Sequence, residues 1–225
     1  MSESPSVWPI HPKPQQDELL SCWMVRIARG HGLKPSVFYR CAWSGEPFSL
    51  AEVDESHDHG LFLWLSRKTA TPLERVVECA LPLYATGATS LPRPNSRESS
   101  QCLLRHGRPP QEKVLRFCPR CLGEDSVPYF RRRWRLAFVR ACEKHRARLL
   151  RGCLGCRAMV RFDWVPLKTP SLATCHRCRL DLRQAVAAPL PSTGEVEMIL
   201  QLQERLLAVG NQSARYRPEL SLGRA

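Results

Sequence analysis

The spacing of apolar residues near the start of the chain predicts two short helices. Apolar side chains recur every three to four residues over 19–28, as on one face of an amphipathic helix. Asp17 is predicted to cap this helix, and Gly30 and Gly32 are predicted to end it. A second short helix is predicted to start at residues 34–36. Two helices joined by a tight glycine-containing turn form the helix-turn-helix pattern.

The same periodicity predicts two more helices in this part of the chain. Residues 59–68 carry the first of them. For the second, Thr71 is predicted to be the N-cap, Pro72 to hold the first helical position and Glu74 to complete a capping box. The tryptophans and cysteines on the helical stripes are predicted to be buried: Trp23, Trp43, Trp64, Cys22, Cys41 and Cys79.

The chain is predicted to fall into four parts. Residues 85–112 are rich in Gly, Pro, Ser and Arg, include Cys102, and show little apolar periodicity, which is typical of a connection between domains. Over 195–209 the helical spacing returns, with Gly210 as the predicted end. We therefore assign a helical helix-turn-helix domain, a linker, a cysteine-rich domain, and a C-terminal helix with its tail to residues 1–86, 87–114, 115–188 and 189–225.

Positive charge is concentrated in one stretch. The sequence has 34 Lys and Arg against 21 Asp and Glu, a formal net charge of +13. Sixteen of the basic and four of the acidic residues lie between Arg105 and Arg161, so the rest of the chain, with eighteen and seventeen, is nearly neutral. A localised basic block favours binding to a polyanion such as DNA or RNA. The alternative interpretation is a solvated face that only keeps the protein soluble.

Composition and local patterns argue against several classes of protein. An apolar fraction of 43% and an aromatic fraction of 8% are ordinary for a globular protein, so wholesale disorder is excluded. The sequence has no run of eighteen apolar residues, and residues 1–14 lack the pattern of a secretory signal. We therefore expect a cytoplasmic protein in which cysteines bind metal rather than form a disulfide framework.

The eleven cysteines carry the strongest functional pattern. Four pairs of residues have two residues between their members: Cys118/Cys121, Cys142/His145, Cys153/Cys156 and Cys175/Cys178. A two-residue gap lets one turn place both ligand atoms on the same side of a metal, and two such turns complete a tetrahedron with metal–sulfur distances of about 2.3 Å. We predict two zinc ions per chain. Spacing alone allows the turns to pair sequentially or in a cross-braced order.

Both predicted zinc sites are structural, and no catalytic residue is assigned. Each has four protein ligands, whereas catalytic zinc keeps a position for water. Glu143 lies between two ligands, and no carboxylate stands where a zinc enzyme needs its general base. Zinc is predicted to fold a segment with few apolar residues, contributing on the order of 10 kcal/mol or more. The predicted fold class is mainly α, with small zinc-stabilised α+β modules: a helix-turn-helix domain, tandem zinc fingers and a C-terminal helix.

A basic and aromatic stretch lies between the first two ligand pairs. Residues 129–135 read Tyr-Phe-Arg-Arg-Arg-Trp-Arg. Guanidinium groups bind phosphates strongly, and neighbouring rings pack beneath them or stack on bases, although Trp134 itself is expected in the core. Such contacts make binding steeply salt-dependent. The candidate nucleic-acid contacts are Arg131, Arg132, Arg133, Arg135, Arg140, Arg146, Arg148 and Arg151.

Short motifs along the chain occur in an order known from one protein family. In the cysteine-rich part they are Phe-Cys-Pro-Arg-Cys-Leu at 117–122, Pro-Tyr-Phe-Arg at 128–131, Trp-Arg-Leu at 134–136, Cys-Glu-Lys-His at 142–145, Leu-Leu at 149–150 and Cys-Leu-Gly-Cys at 153–156. Near the start they are Pro-Lys-Pro at 12–14, Asp-Glu-Leu-Leu-Ser-Cys-Trp at 17–23 and Arg-Ile-Ala at 26–28. Over about residues 7–180 the chain resembles the TniQ/TnsD family of transposon target-selection proteins.

The resemblance implies an N-terminal helix-turn-helix domain, two zinc fingers and no catalysis. It also implies sequential pairing, with one zinc on Cys118, Cys121, Cys142 and His145 and the other on Cys153, Cys156, Cys175 and Cys178. Members of the family link target recognition to a TnsC-like AAA+ regulator; some read a DNA attachment site, and others bridge to an RNA-guided CRISPR effector and contact its RNA. The expected partners are therefore that regulator, DNA or guide RNA and, in RNA-guided systems, the CRISPR complex. The expected location is the prokaryotic cytoplasm near the nucleoid, without a membrane, and homo-oligomerisation is left open.

Three functions can be weighed against these residues. Many members of the family carry further C-terminal DNA-binding domains, whereas this chain stops after one helix, which favours a compact bridging adaptor in Tn7-like transposition. The alternative is a self-sufficient regulator that binds one short DNA sequence without a partner. A zinc-dependent enzyme is disfavoured by four ligands per metal and the lack of a placed base. The residues that bind a protein partner are not identified by the sequence.

Overall fold

The computed structural model of the protein describes residues 7–45, 48–50, 52–81, 115–189 and 194–215. The predicted linker, 87–114, lies outside these residues, as does Cys102. Within them the α-helices are α1 (Leu20–Gly30), α2 (Pro35–Ala42), α3 (His59–Thr69), α4 (Leu73–Val77), α5 (Pro119–Glu124) and α6 (Gly194–Arg215). The strands β1 (Ala141–Cys142) and β2 (Ala147–Arg148) form a two-stranded sheet. The described structure is thus mostly helical, as predicted.

Helix α1 lies between two apolar clusters, because its sequence is apolar on two faces. One face packs with α2 and α3 in the helical cluster, through Leu20, Trp23, Met24, Ile27 and Ala28. The other face joins the cluster that surrounds the cysteine-rich part, through Cys22 and Val25 and the preceding Leu19. The burial of both faces explains why α1 is almost fully enclosed.

The predicted cap of α1 is wrong. Leu19, not Asp17, is the N-cap, and no side chain caps the helix there. Asp17 has a positive φ of 58°, and its carboxylate binds the guanidinium groups of Arg132 and Arg133 instead. Ion pairs with a distant segment therefore replace the local cap. The predicted stop is confirmed, because α1 ends at Gly30 and Gly32 follows with a φ of 71°.

The predictions for the next helices are confirmed in part. Helix α3 spans the predicted residues, and the carboxylate of Asp58 accepts a hydrogen bond from Leu61 N–H at 3.1 Å as its cap. Helix α4 starts at Leu73, with Pro72 at the N-cap and no side-chain cap. The predicted capping box is therefore wrong. The hydroxyl of Thr71 instead accepts a hydrogen bond from that of Thr69 at 2.9 Å.

Helix α6 continues past Gly210 to Arg215, so the predicted end of the helix is wrong. The buried Gln203 docks this helix on the edge of β1. Its side-chain oxygen accepts hydrogen bonds from Arg140 N–H at 2.7 Å and Ala141 N–H at 3.0 Å, and its amide group donates to the carbonyl of Ala141 at 3.2 Å. These contacts satisfy backbone groups that an edge strand otherwise leaves to water.

The cysteine-rich part is organised around a short hairpin. Strands β1 and β2 are antiparallel, with Ala141 opposite Arg148 and Cys142 opposite Ala147. Beneath the hairpin lie the fully buried rings of Phe117, Phe130 and Trp134. Trp134 is thus in the core, as predicted.

The helical and cysteine-rich parts meet along a paired backbone segment, the junction, formed by residues 17–19 and 130–132. Leu19 N–H donates to the carbonyl of Phe130 at 2.9 Å, and Arg132 N–H donates to the carbonyl of Asp17 at 2.8 Å. Apolar side chains from both parts share one core across the junction. The division into independent domains stays a prediction, as does the use of α1 and α2 as a helix-turn-helix motif.

The remaining predictions of burial are mostly confirmed. Cys22 and Cys79 are buried thiols, whereas Cys41 is exposed because it lies on the outer side of the last turn of α2. Trp23 is fully buried, and Trp43 and Trp64 pack partly buried against the helical cluster. Among the described residues, no helix is both long enough and apolar enough to cross a bilayer.

Candidate metal centres and basic surface

The first cluster consists of Cys118, Cys121, Cys142 and His145, whose ligand atoms lie within 4.8 Å of one another. Local structure brings them together. Cys118 is the N-cap of α5 and Cys121 lies in its first turn, while Cys142 ends β1 and the hairpin turn carries His145. The Sγ atoms of Cys121 and Cys142 are 3.5 Å apart, and the Sγ of Cys118 is 3.3 Å from the Nδ1 of His145.

A carboxylate orients the histidine of the first cluster. The Nε2 of His145 lies 2.8 Å from an oxygen of Glu124, which leaves Nδ1 to face the sulfurs. Hydrogen bonds from Lys144 and His145 hold the pKa of Glu124 below its ordinary value. A carboxylate on the far nitrogen is the usual partner of a metal-binding histidine, since it fixes the ring and its tautomer. Sequence reasoning missed Glu124, which stands three residues after Cys121.

The second cluster consists of Cys153, Cys156, Cys175 and Cys178, again with ligand atoms within 4.8 Å. The Sγ atoms are 3.5 Å apart between Cys153 and Cys178 and 3.6 Å apart between Cys156 and Cys175. A hydrogen bond from Ala158 N–H is the main cause that lowers the pKa of Cys156 to about 7. This cluster is more open than the first, because Cys178 is exposed and Cys156 is half-buried.

Both clusters fit tetrahedral zinc. With metal–sulfur distances of about 2.3 Å, neighbouring ligand atoms of a tetrahedron are about 3.7 Å apart, close to the separations in the two clusters. The side chains are grouped in sequential order, as the resemblance implies, and not in the cross-braced order. Zinc in the first cluster would hold α5 against the hairpin. Zinc in the second cluster would hold the turn of Cys153 and Cys156 against the turn of Cys175 and Cys178.

The sequence also matches a known family directly. The family model for TniQ matches residues 9–149, which is more than half of the chain. The protein belongs to the TniQ family. The matched TniQ residues include the junction and the whole first cluster and end before Cys153. No curated protein matches the chain. A TniQ domain implies a target-selection role in Tn7-like transposition, in a family of non-catalytic adaptors.

Four of the predicted nucleic-acid contacts in this TniQ protein, Arg131, Arg132, Arg133 and Arg135, are partly buried and form ion pairs within the chain. Arg131 binds Asp125 at 2.8 Å and lies over the rings of Tyr129 and Trp134. Asp17 binds Arg132 at 3.1 Å and Arg133 at 2.7 Å, and Asp54 binds Arg135 at 3.0 Å. The pairs of Asp17 and Asp54 tie the helical part to the cysteine-rich part. A role of these arginines in nucleic-acid binding stays a prediction.

The other four predicted contacts are exposed: Arg140, Arg146, Arg148 and Arg151. Arg146 forms an ion pair with Glu197 of α6 at 2.5 Å, while the described residues place no carboxylate within ion-pair distance of the other three. Nearby, the buried Arg116 donates a hydrogen bond to the carbonyl of Leu136. Burial, followed by the charges of Arg151 and Arg140, lowers the pKa of Arg116 to about 10. The exposed side chains of Arg140, Arg146, Arg148 and Arg151 thus form a positively charged surface on and beside the hairpin, which we call the hairpin surface.

Sequence reasoning missed a basic residue that recurs after three of the metal-binding turns. Arg146, Arg157 and Arg179 each directly follow the second ligand of a pair, and their φ angles are 45°, 59° and 67°. This left-handed conformation favours glycine and is uncommon for other residues. All three side chains are exposed. The signal was present in the sequence as an arginine after each of three ligand pairs.

Proposed function

We propose that this TniQ protein is a non-enzymatic targeting adaptor in Tn7-like transposition. In this role the helical part docks on a TnsC-like AAA+ regulator and the cysteine-rich part contacts DNA or guide RNA, with a CRISPR effector as the further partner in RNA-guided systems. The proposal rests on one observation: the TniQ family model matches residues 9–149, which include both sides of the junction. The four protein ligand atoms in each cluster support structural zinc rather than catalysis.

The distribution of charge supports nucleic-acid contacts at the hairpin surface. Arg140, Arg148 and Arg151 are exposed, whereas Arg132 and Arg135 already form ion pairs with Asp17 and Asp54. A guanidinium that already has a partner must lose that partner before it binds a phosphate, while an exposed one exchanges only water. We therefore assign the phosphate contacts first to these three exposed arginines.

Native mass spectrometry tests the adaptor role. The zinc-loaded protein is mixed with the TnsC-like regulator of the same element and ATP, with and without duplex DNA. We expect two zinc ions per chain and a complex with the regulator. The alternative is a self-sufficient DNA-binding protein, which would form no complex with the TnsC-like regulator and would select one short duplex from a random pool. That result would show that the adaptor proposal is wrong.

Removing two exposed charges from the hairpin surface should weaken nucleic-acid binding. In the double variant Arg148→Gln/Arg151→Gln, we expect weaker binding of duplex DNA at every salt concentration. The slope of log K against log salt should become shallower by about 2, because each lost phosphate contact removes about 0.9 from it. A salt titration followed by fluorescence anisotropy measures both quantities.

The matched control removes the same charge from the helical part. Arg67 of α3 and Arg75 of α4 are both exposed, so Arg67→Gln/Arg75→Gln lowers the net charge equally. We expect its affinity and salt slope to stay near those of the unmodified protein. An equal loss of affinity in the two double variants would show that only the overall charge of the protein matters. It would contradict the assignment of phosphate contacts to the hairpin surface.

A further inference from the structure

Trp164 is an exposed aromatic residue outside both ligand clusters and outside the hairpin surface. It is 61% exposed, and no other aromatic residue is found among the exposed large apolar side chains of the described segments. Tryptophan is enriched at binding surfaces because its rigid ring offers a large contact area. A binding role would account for leaving so large a ring in water.

Neighbouring side chains hold the ring of Trp164 in position. The guanidinium carbon of Arg161 lies 4.2 Å from the ring centre, and Arg161 is itself fixed by an ion pair with Asp163 at 3.1 Å. The ring of His176 meets the tryptophan edge-on at a centre-to-centre distance of 5.8 Å. Trp164 is therefore an oriented platform.

The segment after Trp164 is fixed by helix α1. The guanidinium of Arg29 donates hydrogen bonds to four backbone carbonyls, those of Val165 and Pro166 at 3.0 Å and those of Leu167 and Thr169. One side chain thus fastens a whole loop to the helical part. Because this segment is already ordered, binding a ligand to it costs less conformational entropy.

This fixed segment forms one wall of a cavity of about 920 Å³, the Trp164 cavity, whose other wall is α2 and the residues that follow it. Tyr39 and Trp43 add aromatic surface to it. Its charged lining residues in the described structure are three cations and one carboxylate: Lys34, Arg40, Arg161 and Asp163. Asp163 is paired with Arg161, so the excess positive charge of the cavity comes from Lys34 and Arg40.

More positive charge lies beside the cavity, on the last metal-binding turn. Arg177 and Arg179 flank the exposed Cys178, and both side chains are exposed. His176, which contacts Trp164, belongs to the same turn. Aromatic surface within a basic groove is the arrangement that binds single-stranded nucleic acid, because bases stack on the rings and phosphates follow the charges.

We propose that the Trp164 cavity binds an unpaired stretch of DNA or RNA, with a base stacked on Trp164 and phosphates bound by the surrounding cations. A single strand fits this site better than a duplex, because the faces of paired bases are covered by their neighbours. The inference rests on the proposed function and deepens it by adding a site for unpaired strands to the hairpin surface.

Short labelled oligonucleotides test the site with the full zinc-loaded chain. Fluorescence anisotropy follows the binding of oligo-dT and oligo-U of about ten nucleotides, a length within the usual site size. We expect Trp164→Ala to weaken binding by about 5- to 150-fold and Trp164→Phe, which keeps a ring, to weaken it less. Met198→Ala is the matched control, since Met198 is 63% exposed on α6, away from the cavity, and binding should not change. The two oligonucleotides identify whether DNA, RNA or both are bound.

Photo-crosslinking locates the bound strand directly. A thio-substituted pyrimidine oligonucleotide should crosslink to the peptide that contains Trp164, and Arg148→Gln/Arg151→Gln should leave this crosslink in place. Unchanged affinity in Trp164→Ala, a crosslink elsewhere, or an acidic peptide bound in the cavity in place of the oligonucleotide would overturn the inference. Duplex binding and a regulator complex without any oligonucleotide binding would overturn this inference alone, whereas failure of the regulator complex would count against the proposed function.

Discussion

Chelation of zinc is expected to unfold the cysteine-rich part of this protein and to destabilise the helical part with it. Structural zinc contributes on the order of 10 kcal/mol, which is comparable with the whole free energy of unfolding of an ordinary domain. The first cluster has the larger effect, because its three cysteines are all buried in the apolar core that contains Leu19 of the junction, whereas in the second cluster Cys156 is only half-buried and Cys178 is exposed. Loss of the zinc from the first cluster should therefore also destabilise α1.

Single substitutions separate the two sites. We expect Cys121→Ser to lose one zinc and the cooperative thermal transition, and Cys178→Ser to lose one zinc while the helical part stays folded. The reason is that Cys121 is only 4% exposed, whereas Cys178 lies at the surface. In the unmodified protein, a chelator should remove the zinc of the second cluster first. Native mass spectrometry counts the zinc, and near-ultraviolet circular dichroism reports the packing of the tryptophans.

An exposed thiol outside both clusters supplies the control for these variants. Cys41→Ser should keep two zinc ions and an unchanged melting temperature, because Cys41 is exposed on α2. A Cys121→Ser protein that still bound two zinc ions and melted normally would show that the first cluster is not a metal site.

Truncation of Arg135 is expected to destabilise the protein far more than truncation of an arginine on the hairpin surface. Arg135 binds Asp54, whose carboxylate is fully buried and also accepts hydrogen bonds from the backbone N–H and the hydroxyl of Ser21. Arg135→Ala leaves that carboxylate buried without its counter-charge, which typically costs about 3–5 kcal/mol. Urea unfolding measures the loss. Arg148→Ala, at an exposed position, should change the free energy of unfolding by about 0.5 kcal/mol or less.

The loss in Arg135→Ala should also depend on pH in a defined direction. Burial already raises the pKa of Asp54, and the charge of Arg135 is the main influence that lowers it. Without Arg135 the pKa rises further, so Asp54 becomes neutral at a higher pH in the folded variant. The difference in stability between variant and unmodified protein should therefore be full above the pKa of Asp54 in the folded variant. It should shrink as the pH falls from that value to the lower, but still raised, pKa of Asp54 in the unmodified folded protein. A difference that stays constant over this range would show that Arg135 acts only through packing.

The two candidate metal clusters and the helices could be predicted from the sequence because both depend on short-range order. Two residues between ligands are enough to form a metal-binding turn, whatever the rest of the chain does. Helices α1 and α3 likewise follow from the apolar spacing within each segment, since this spacing defines the face that must be buried. Local signals failed at Asp17, where distant ion-pair partners outweighed them, and at Gly210, which lies within α6.

Only the tertiary structure decided which arginines are available to a ligand. Arg132 and Arg148 look equivalent in the sequence, but the fold brings Asp17 to Arg132 from 115 residues away and leaves Arg148 in water. Asp54 reaches Arg135 across 81 residues in the same way. The same folding places the exposed Trp164 opposite α2 and so creates the Trp164 cavity. A guanidinium binds the nearest carboxylate, and the distance to that carboxylate is set by the packing of α1 against the cysteine-rich part, which no local pattern records.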